Sequence, residues 1–522
     1  MQPQYAVRRE PARALLALAV AVFLALSAAL TACMPTPSPT AGLGGNGGAA
    51  SAPAMPAVNS SGPCPVTLSD LALFQTVKVP LVTAGEVVTA RPVDIVEGKR
   101  AFVRAYVAPA ADVPAGGAVH ARLVLTSAAG TQTLEDTRTI TAPSSEQELT
   151  STIDFDVDGG LIHADTTAAV EIVDPPSCTP QLTRLPRAGA AALAPRSTGV
   201  LKVVLVPVRY DADGSGRLPD TSMDQLDRVR ATLLALYPVA QVEVTVRELV
   251  GSSISLAGSS GTGWTQFLDS MRALRAQDGP ASDVYYYGIV QPAGTLVSYC
   301  RGSCIAGISF QVAQDRAALR VGVGLDYPGQ VSAQTMAHEI GHQHGRGHAP
   351  CGATAGVDPA YPYPGGNTGI WGFDGRTRSF LAPTFKDVMG YCGPDEWISD
   401  YNYQALLERS VTVNPPAASI IGGSGPRDWD VLLVGPDGVA RRGHPLTAFE
   451  PPVDSVREPA ALLSASGTTM GQLEAYRLPI ADTDVAMYLV PPLPAGAQAM
   501  TLPRLAAPLR LDTMAPPVRL SP

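Results

Sequence analysis

Short runs of alternating apolar and polar residues fill the chain between residues 64 and 195. Examples are residues 74–79, 100–107, 121–125 and 169–173, with turn residues between them. Alternation places every second side chain on the same face of a strand, and regularly spaced strands of this kind are typical of a β-sandwich. The pattern predicts an all-β, immunoglobulin-like domain over residues 64–195.

The pattern changes at about residue 196. Largely apolar runs at 201–208, 242–246 and 284–290 alternate with segments at 222–237 and 264–276 that carry apolar residues at helical spacing. Two more strands are predicted at 305–312 and 319–325. Strands that alternate with helices indicate a mostly parallel sheet. We therefore expect an α/β domain over residues 196–410.

Beyond residue 410 the chain returns to β-like runs joined by proline-rich segments, at 429–434, 473–478 and 486–490. These runs predict a C-terminal β-rich domain over residues 411–522. The expected fold is therefore multidomain, with an α/β domain built on a mostly parallel twisted sheet between two β-sandwich-like domains.

The first 33 residues have the pattern of an export signal. Three arginines precede an apolar stretch at residues 14–30, which ends in Leu-Thr-Ala-Cys33. This ending resembles the lipobox of bacterial lipoproteins, which implies a signal peptide over residues 1–33 and lipidation of Cys33. An ordinary secretory signal and an uncleaved membrane anchor are the alternatives. Residues 34–63 are rich in Pro, Gly, Ser and Thr and predict a disordered tether. The expected location is the bacterial cell envelope, at the outer membrane or cell surface and outside the cytoplasm.

Composition narrows the class of protein. Of the 522 residues, 46% are hydrophobic and 16% are charged, which is typical of a globular chain. The net charge of −9 and the absence of a long basic run argue against a nucleic-acid partner. Lipidation of Cys33 would leave six of the seven cysteines, enough for three disulfides in an oxidising compartment. Fifteen pairings are then possible. We favour neighbours in domain order: Cys64–Cys178, Cys300–Cys304 and Cys351–Cys392.

Candidate chemistry is concentrated in the segment His-Glu-Ile-Gly-His-Gln-His-Gly-Arg-Gly-His, residues 338–348. His338 and His342 are four residues apart, so both project from one face of a helix and can bind one Zn²⁺. Gly345 can end the helix in left-handed backbone geometry, which lets the chain turn back and offer His348 as the third ligand. Three histidines leave a fourth position open for water, as in a catalytic zinc site. Glu339 can act on that water without binding the metal.

This spacing, His-Glu-x-x-His-x-x-Gly-x-x-His, resembles that of the metzincin zinc endopeptidases. The resemblance implies a metzincin-like α/β fold and a methionine turn beneath the metal, which Met389 in Asp-Val-Met-Gly-Tyr matches. Tyr391 matches the tyrosine that binds zinc in resting astacin-like and serralysin-like enzymes and then stabilises the oxyanion. An ordinary hydrogen-bonding tyrosine is the alternative. His344 points away from the ligand face, and we expect it to support the site from outside or to be exposed to solvent.

The predicted reaction is hydrolysis of a peptide bond. A single catalytic Zn²⁺ would activate water and polarise the scissile carbonyl. Glu339 would accept the proton of the water as general base and pass it to the leaving amine.

The segment Trp371-Gly-Phe-Asp-Gly resembles one in the StcE-like zinc proteases, which include bacterial mucinases and ToxR-regulated lipoproteins. Parts of the preceding β-domain resemble theirs as well. The resemblance implies an enzyme that cleaves secreted or surface proteins, including O-glycosylated ones. We expect the protein to be a monomer. Ala349, the residue directly after the third ligand, instead matches the residue found there in the gametolysin group. No glycan-binding site is evident in the sequence.

An Asp/Gly-rich segment follows the first strand of the α/β domain. Its carboxylates, Asp211, Asp213 and Asp220, are hard oxygen ligands of the kind that Ca²⁺ prefers. The segment lacks the glutamate that completes an EF-hand loop, so we favour an ordinary turn over a Ca²⁺ site.

Two functions of other classes stay open from the sequence. The chain could be a surface adhesin or binding lipoprotein with a vestigial zinc site, or a zinc amidase acting on peptidoglycan. Zinc content together with protein cleavage that is blocked by a chelator separates the first of these from a protease.

Overall fold

The computed structural model describes residues 64–110, 117–175, 178, 183–258, 260–312, 316–352, 355–393, 395–413, 427–448 and 455–521. All of them belong to one compact unit, residues 58–522. The predicted signal peptide, the tether and Cys33 lie outside the described residues. Within the described ranges, no helix combines the length and the apolar character needed to cross a membrane.

The N-terminal part of the described chain consists of two antiparallel sheets that share one core. Alternation is strict in the central strand β5, where Val119, Ala121, Leu123 and Leu125 are buried on one face. Strands β1, β2, β4 and β7 form one sheet with β3 at its margin, and β5, β6, β8, β9 and β10 form the other. The strands are β1 Val66–Gln75, β2 Val77–Thr83, β3 Glu86–Val87, β4 Ala101–Pro109, β5 Gly117–Ser127, β6 Gly130–Ile140, β7 Ile153–Val157, β8 Thr167–Asp174, β9 Arg184–Leu185 and β10 Ala191–Ala192.

The central part is a six-stranded sheet with helices on both faces. Its strand order is β12-β11-β14-β16-β15 with β13 beside β11, and every pairing is parallel except that of the edge strand β15 with β16. The strands are β11 Leu201–Tyr210, β12 Val242–Val246, β13 Val250–Ser252, β14 Val284–Val290, β15 Gly307–Ser309 and β16 Val321–Leu325. The helices are α1 Met223–Leu236, α2 Trp264–Asp278, α3 Leu296–Cys300, α4 Gln330–Gln343 and α5 Asp400–Val413. Helices α1 and α4 pack with one face of the sheet and with the N-terminal core, while α2 packs with the other face.

The segment that resembles the StcE-like proteases connects two parts of the fold. Strands β17 Gly372–Asp374 and β18 Ser379–Leu381 extend the first N-terminal sheet, where Gly372 pairs with Val77 of β2. Phe373 stacks on Phe102 with ring centroids 4.5 Å apart. This sheet therefore contains residues from both sides of the boundary at residue 195. A short parallel pair follows, β19 Lys386–Asp387 with β20 Glu396–Trp397.

The C-terminal part differs from the expected sandwich. Its described residues form one seven-stranded antiparallel sheet, β22-β21-β26-β25-β24-β27, with β23 beside β21. The reason is that one face of this sheet, including Trp429 and Met487, packs against α2, so the α/β part supplies the second layer. The strands are β21 Arg427–Val434, β22 Ala440–Arg442, β23 Leu446–Ala448, β24 Val456–Leu463, β25 Thr469–Pro479, β26 Ala486–Val490 and β27 Ala499–Thr501.

Candidate metal and catalytic site

Helix α4 and the turn after it bring the three predicted ligands together. His338 and His342 lie on one face of the helix, as their spacing requires. The helix ends at Gln343, and Gly345 has a φ of +88°, the left-handed geometry predicted for it. The returning chain fixes His348 by main-chain bonds, because its N–H donates to the Gly356 carbonyl at 3.1 Å.

The geometry of the three imidazoles fits a metal ion. Nε2 of His342 lies 2.9 Å from Nε2 of His338 and 3.1 Å from Nε2 of His348. Each Nδ1 is within hydrogen-bonding distance of a backbone carbonyl. The pairs are His338 with Val388, His342 with Arg346 and His348 with Ala355.

With Nδ1–H donating to a carbonyl, each Nε2 carries a lone pair. Three lone pairs at this separation repel one another unless they share a cation. Nitrogens around one tetrahedral Zn²⁺ at ~2.0–2.1 Å lie about 3.4 Å apart, close to the spacing seen here. The donor set of the three histidines therefore fits a zinc ion.

Glu339 lies beside the ligands and is fully buried. The Ser309 hydroxyl lies 2.8 Å from Oε2 of Glu339, while Oε1 makes no hydrogen bond within the described part of the chain. A side chain at Gly307 would approach Oε1 to 2.7 Å, so the absence of a Cβ there leaves room for the carboxylate. Burial, followed by the charge of Asp482, raises the pKa of Glu339 well above its usual value.

Met389 lies beneath the motif helix, and a buried carboxylate holds its turn in place. The Met389 side chain is 1% exposed and contacts Gly341 of the helix. Asp387 accepts hydrogen bonds from the Met389 N–H at 2.8 Å, the Asn402 amide at 2.9 Å and the Ser399 N–H at 2.8 Å. Val388 of the same turn provides the carbonyl that accepts from His338. Asp387 thus positions both the floor of the site and the outer partner of a ligand, a role that sequence reasoning missed.

Tyr391 reaches the site with its hydroxyl. The hydroxyl lies 3.0 Å from Nε2 of His338 and donates to Oδ1 of Asp482 at 2.6 Å. The Tyr391 residue is 47% exposed, but its hydroxyl end faces the buried site, where desolvation and then the charges of Asp482 and Glu339 raise its pKa well above the usual value. The phenol is therefore a neutral donor at the metal side of the site.

Asp482 is a member of this site that the sequence did not predict. Its Oδ1 lies 2.8 Å from Nε2 of His348, and its Oδ2 lies 3.4 Å from Nε2 of His342 and 3.9 Å from Nε2 of His338. These four residues are a group that could hold a metal ion. Burial raises the pKa of Asp482, whereas His342 and His348 in their protonated forms would lower that pKa well below its usual value, as a bound cation would.

His344 is buried rather than exposed to solvent. It is 3% exposed, stacks on Tyr285 with ring centroids 4.7 Å apart and lies with its Nδ1 2.8 Å from the Ile340 carbonyl. Burial is the main reason that its pKa falls to about 3. The prediction that it points away from the ligands agrees with this position, whereas the alternative of solvent exposure is wrong because the ring fills the space between α4 and the sheet.

A cleft of about 780 Å³ opens in front of the site. Its walls include the edge strand β15 with the residues before it, helix α4, the methionine turn and Asp482. This volume lies in the range typical of ligand-binding sites. It is large enough to hold several residues of a polypeptide.

The six predicted disulfide cysteines are paired in the structure. The structure joins Cys64 to Cys178, Cys300 to Cys304 and Cys351 to Cys392, the three pairings favoured from the sequence. Cys351–Cys392 connects the segment after His348 to the segment after Tyr391, and both Cys300 and Cys304 line the cleft.

The candidate Ca²⁺ carboxylates have other partners. Asp211 pairs with Arg209 at 2.9 Å, Asp213 pairs with Arg217, and Asp220 accepts from the Ser222 N–H at 2.9 Å. Arginine charges therefore neutralise the first two carboxylates, and the structure does not gather the three residues around a common point as it does the four of the histidine site.

A known protein family matches the part of the chain that contains the three histidines. Residues 320–396 match the Peptidase M66 family. The matched segment runs from the last central strand through α4, the third histidine and the methionine turn to Glu396, and it supports a peptidase family for this part of the chain. It ends before Asp482. No curated protein sequence matches the chain.

Proposed function

We propose that this protein is a zinc-dependent endopeptidase of the metzincin kind. The observation that carries the proposal is the convergence of three imidazole Nε2 atoms beside a buried glutamate, in a segment that matches a peptidase family. His338, His342 and His348 would hold the ion. When bound, Zn²⁺ supplies Lewis acidity and makes water nucleophilic near neutral pH.

The residues around the ion have distinct roles in this proposal. Glu339 acts as general base and then general acid, which its raised pKa supports because proton transfer works best near the operating pH. Ser309 orients the Glu339 carboxylate through Oε2 and leaves Oε1 free to take a proton. Tyr391 offers a neutral O–H toward the side of His338, where it can donate to the developing oxyanion.

We also propose that the protein is exported and tethered. The lipobox-like ending at Cys33 supports membrane attachment, and three disulfides suit an oxidising compartment outside the cytoplasm. The substrate is an extracellular protein, and the resemblance to mucinases makes O-glycosylated proteins the first candidates. We propose a monomer with no nucleic-acid partner.

The test combines metal analysis with cleavage. The expected result is about one zinc per chain and cleavage of casein or of a mucin-type glycoprotein, blocked by o-phenanthroline and restored by added zinc. Glu339→Gln should keep the zinc and lose about 10²–10⁴-fold in turnover. Glu248→Gln, at an exposed position, is the matched control and should behave like the wild type.

Two results would contradict the proposal. A chain that binds no zinc, or a Glu339→Gln variant with near-normal turnover, would exclude this mechanism. Zinc-dependent release of peptides from peptidoglycan without protein cleavage would favour an amidase, and zinc binding without any cleavage would favour an adhesin.

A further inference from the structure

The turn between β25 and β26, residues 480–485, lies against the active-site edge of the central sheet. Ile480 pairs with Phe310 in an antiparallel bridge, and the Ala481 N–H donates to the Ser309 carbonyl at 2.9 Å. Residues 480–481 therefore extend the sheet at the end of β15, its antiparallel edge strand.

An edge strand is the place where an extended polypeptide can add to a sheet through main-chain hydrogen bonds. Gly307 of β15 lines the cleft, and Ser309 of the same strand also contacts Glu339. The C-terminal turn thus uses a backbone acceptor that a bound substrate chain would otherwise find free.

The next residue, Asp482, faces all three histidines. Its side chain is 7% exposed, and its Oδ1 is shared between Nε2 of His348 and the Tyr391 hydroxyl. Its Oδ2 lies 3.4 Å from Nε2 of His342 and 3.9 Å from Nε2 of His338. A carboxylate that faces three converging imidazole nitrogens has the position of a fourth metal ligand.

The charge of the site also favours a bound cation next to Asp482. With their Nδ1 atoms donating to carbonyls, the three histidines can all present Nε2 lone pairs toward Asp482, whose side chain is largely buried. Burial of a carboxylate without a counter-charge is costly, and one divalent cation between Asp482 and the histidines would offset that cost. Carboxylate oxygen is an ordinary zinc ligand beside imidazole.

Resting on the proposed function, we propose that Asp482 is the fourth protein ligand of the metal and that the turn at residues 480–485 holds the peptidase in a latent state. In this state Asp482 occupies the open coordination position of the metal and accepts the hydrogen bond of the Tyr391 hydroxyl. Ala481 of the same turn bonds to the edge strand β15. A closed four-ligand zinc site is inert, while a catalytic one keeps an open position.

Opening needs only a local movement. Leu478 and Ile480 on one side and Met487 on the other are buried in the core shared with α2, so the two strands stay docked while residues 482–485 shift. Asp482 has a φ of +64°, a conformation that most side chains avoid, which makes this turn a less favourable arrangement without its contacts to the site.

The test uses the full chain loaded with Co²⁺, whose visible spectrum reports the ligands, and acetohydroxamic acid as a small metal-binding probe. Asp482→Ala removes the ligand, and Asp482→Asn keeps the shape of the turn and tolerates positive φ. Asp484→Ala, an exposed carboxylate in the same turn, is the matched control.

In the wild type we expect a spectrum that changes only at high probe concentration. In both Asp482 variants the spectrum of the free protein should differ from that of the wild type, and the probe should bind at least about tenfold more tightly because the competing state is gone. The variants should also lose cobalt to EDTA faster. Asp484→Ala should match the wild type in all three measurements.

The outcomes separate this inference from the proposed function. A wild type that takes up no cobalt or zinc overturns both. A wild type that binds one metal ion, with Asp482 variants identical to it in spectrum, probe affinity and metal loss, overturns the role of Asp482 alone. Faster casein cleavage by Asp482→Ala would further support latency.

Discussion

Gly341 lies directly against the sulfur of Met389. A Cβ built at Gly341 would overlap Sδ of Met389 and lie 3.2 Å from its terminal methyl group. Because Gly341 stands between Glu339 and His342 on α4, the backbone of the histidine motif and the side chain of Met389 in the distant turn pack directly against each other.

Gly341→Ala should therefore destabilise the protein by ~1–3 kcal/mol, the usual cost of overpacking a core. The sign is informative, since glycine to alanine within a helix otherwise stabilises by about 1 kcal/mol. Urea denaturation measures the change, and zinc content shows whether the ligands have moved. Gly294→Ala, where a Cβ would meet nothing within 4 Å, is the neutral control. Adding Met389→Ala should recover part of the loss, and strictly additive effects of the two changes would contradict the contact.

Asp387 should be essential for the methionine turn. Asp387→Asn places an amide where the carboxylate accepts from the Ser399 N–H and the Tyr361 hydroxyl. We expect a loss of ~2–4 kcal/mol in stability, since at least one buried donor is left without an acceptor. Asp395→Asn, an exposed carboxylate nearby, should change stability by less than about 0.5 kcal/mol. Equal effects of the two substitutions in denaturant unfolding would show that Asp387 has no such role.

A buried ionic cluster fastens the C-terminal sheet to α2. Asp269 accepts from Arg272 of the same helix at 2.8 Å and from both the N–H and Nδ1 of His444, at 2.7 and 2.8 Å. Asp269→Ala leaves Arg272 buried without its counter-charge, so we expect a loss of ~3–5 kcal/mol.

We expect this docking to position the Asp482 turn as well. Asp269→Ala should then bind acetohydroxamic acid more tightly than the wild type in the cobalt assay, as is expected for Asp482→Ala. Thermal unfolding followed by tryptophan fluorescence gives the stability, and the exposed Asp484→Ala is the control. An unchanged unfolding midpoint for Asp269→Ala would mean that the cluster does not hold the two parts together.

Asp326 should make stability fall as the pH rises. Burial raises the pKa of Asp326 to about 6 from an ordinary value of 3.8. Below pH 4 both folded and unfolded chains hold the proton. Between about pH 4 and 6 the unfolded chain ionises first, so the wild type loses stability over this window, by up to about 3 kcal/mol, and the loss is complete above pH 6.

Asp326→Asn removes this dependence. The unfolding free energies of variant and wild type are compared in EDTA, which removes metal from both. We expect the variant to become more stable relative to the wild type as the pH rises from 4 to 7. A difference that stays constant over this range would contradict the raised pKa.

The sequence by itself determined the centre of the site. The positions of His338 and His342 follow from the helical repeat, and the turn at Gly345 follows from its freedom to adopt positive φ, so both are local properties of a few residues. The alternation of apolar strands and helices likewise predicted where α1 and α2 lie to within about two residues.

Tertiary structure alone decided what surrounds that centre. Asp482 is 91 residues from Tyr391 in the chain and meets it because β25 and β26 dock on α2, which no local pattern encodes. The burial of His344 has a similar cause, since Tyr285, on which it stacks, comes from the central sheet. The role of Asp387 was missed because its partners Ser399 and Asn402 lie 12 and 15 residues away, outside any helical or strand repeat. The spacing of His338 and His342 follows from one helix, whereas access to the proposed metal site depends on how three parts of the chain pack together.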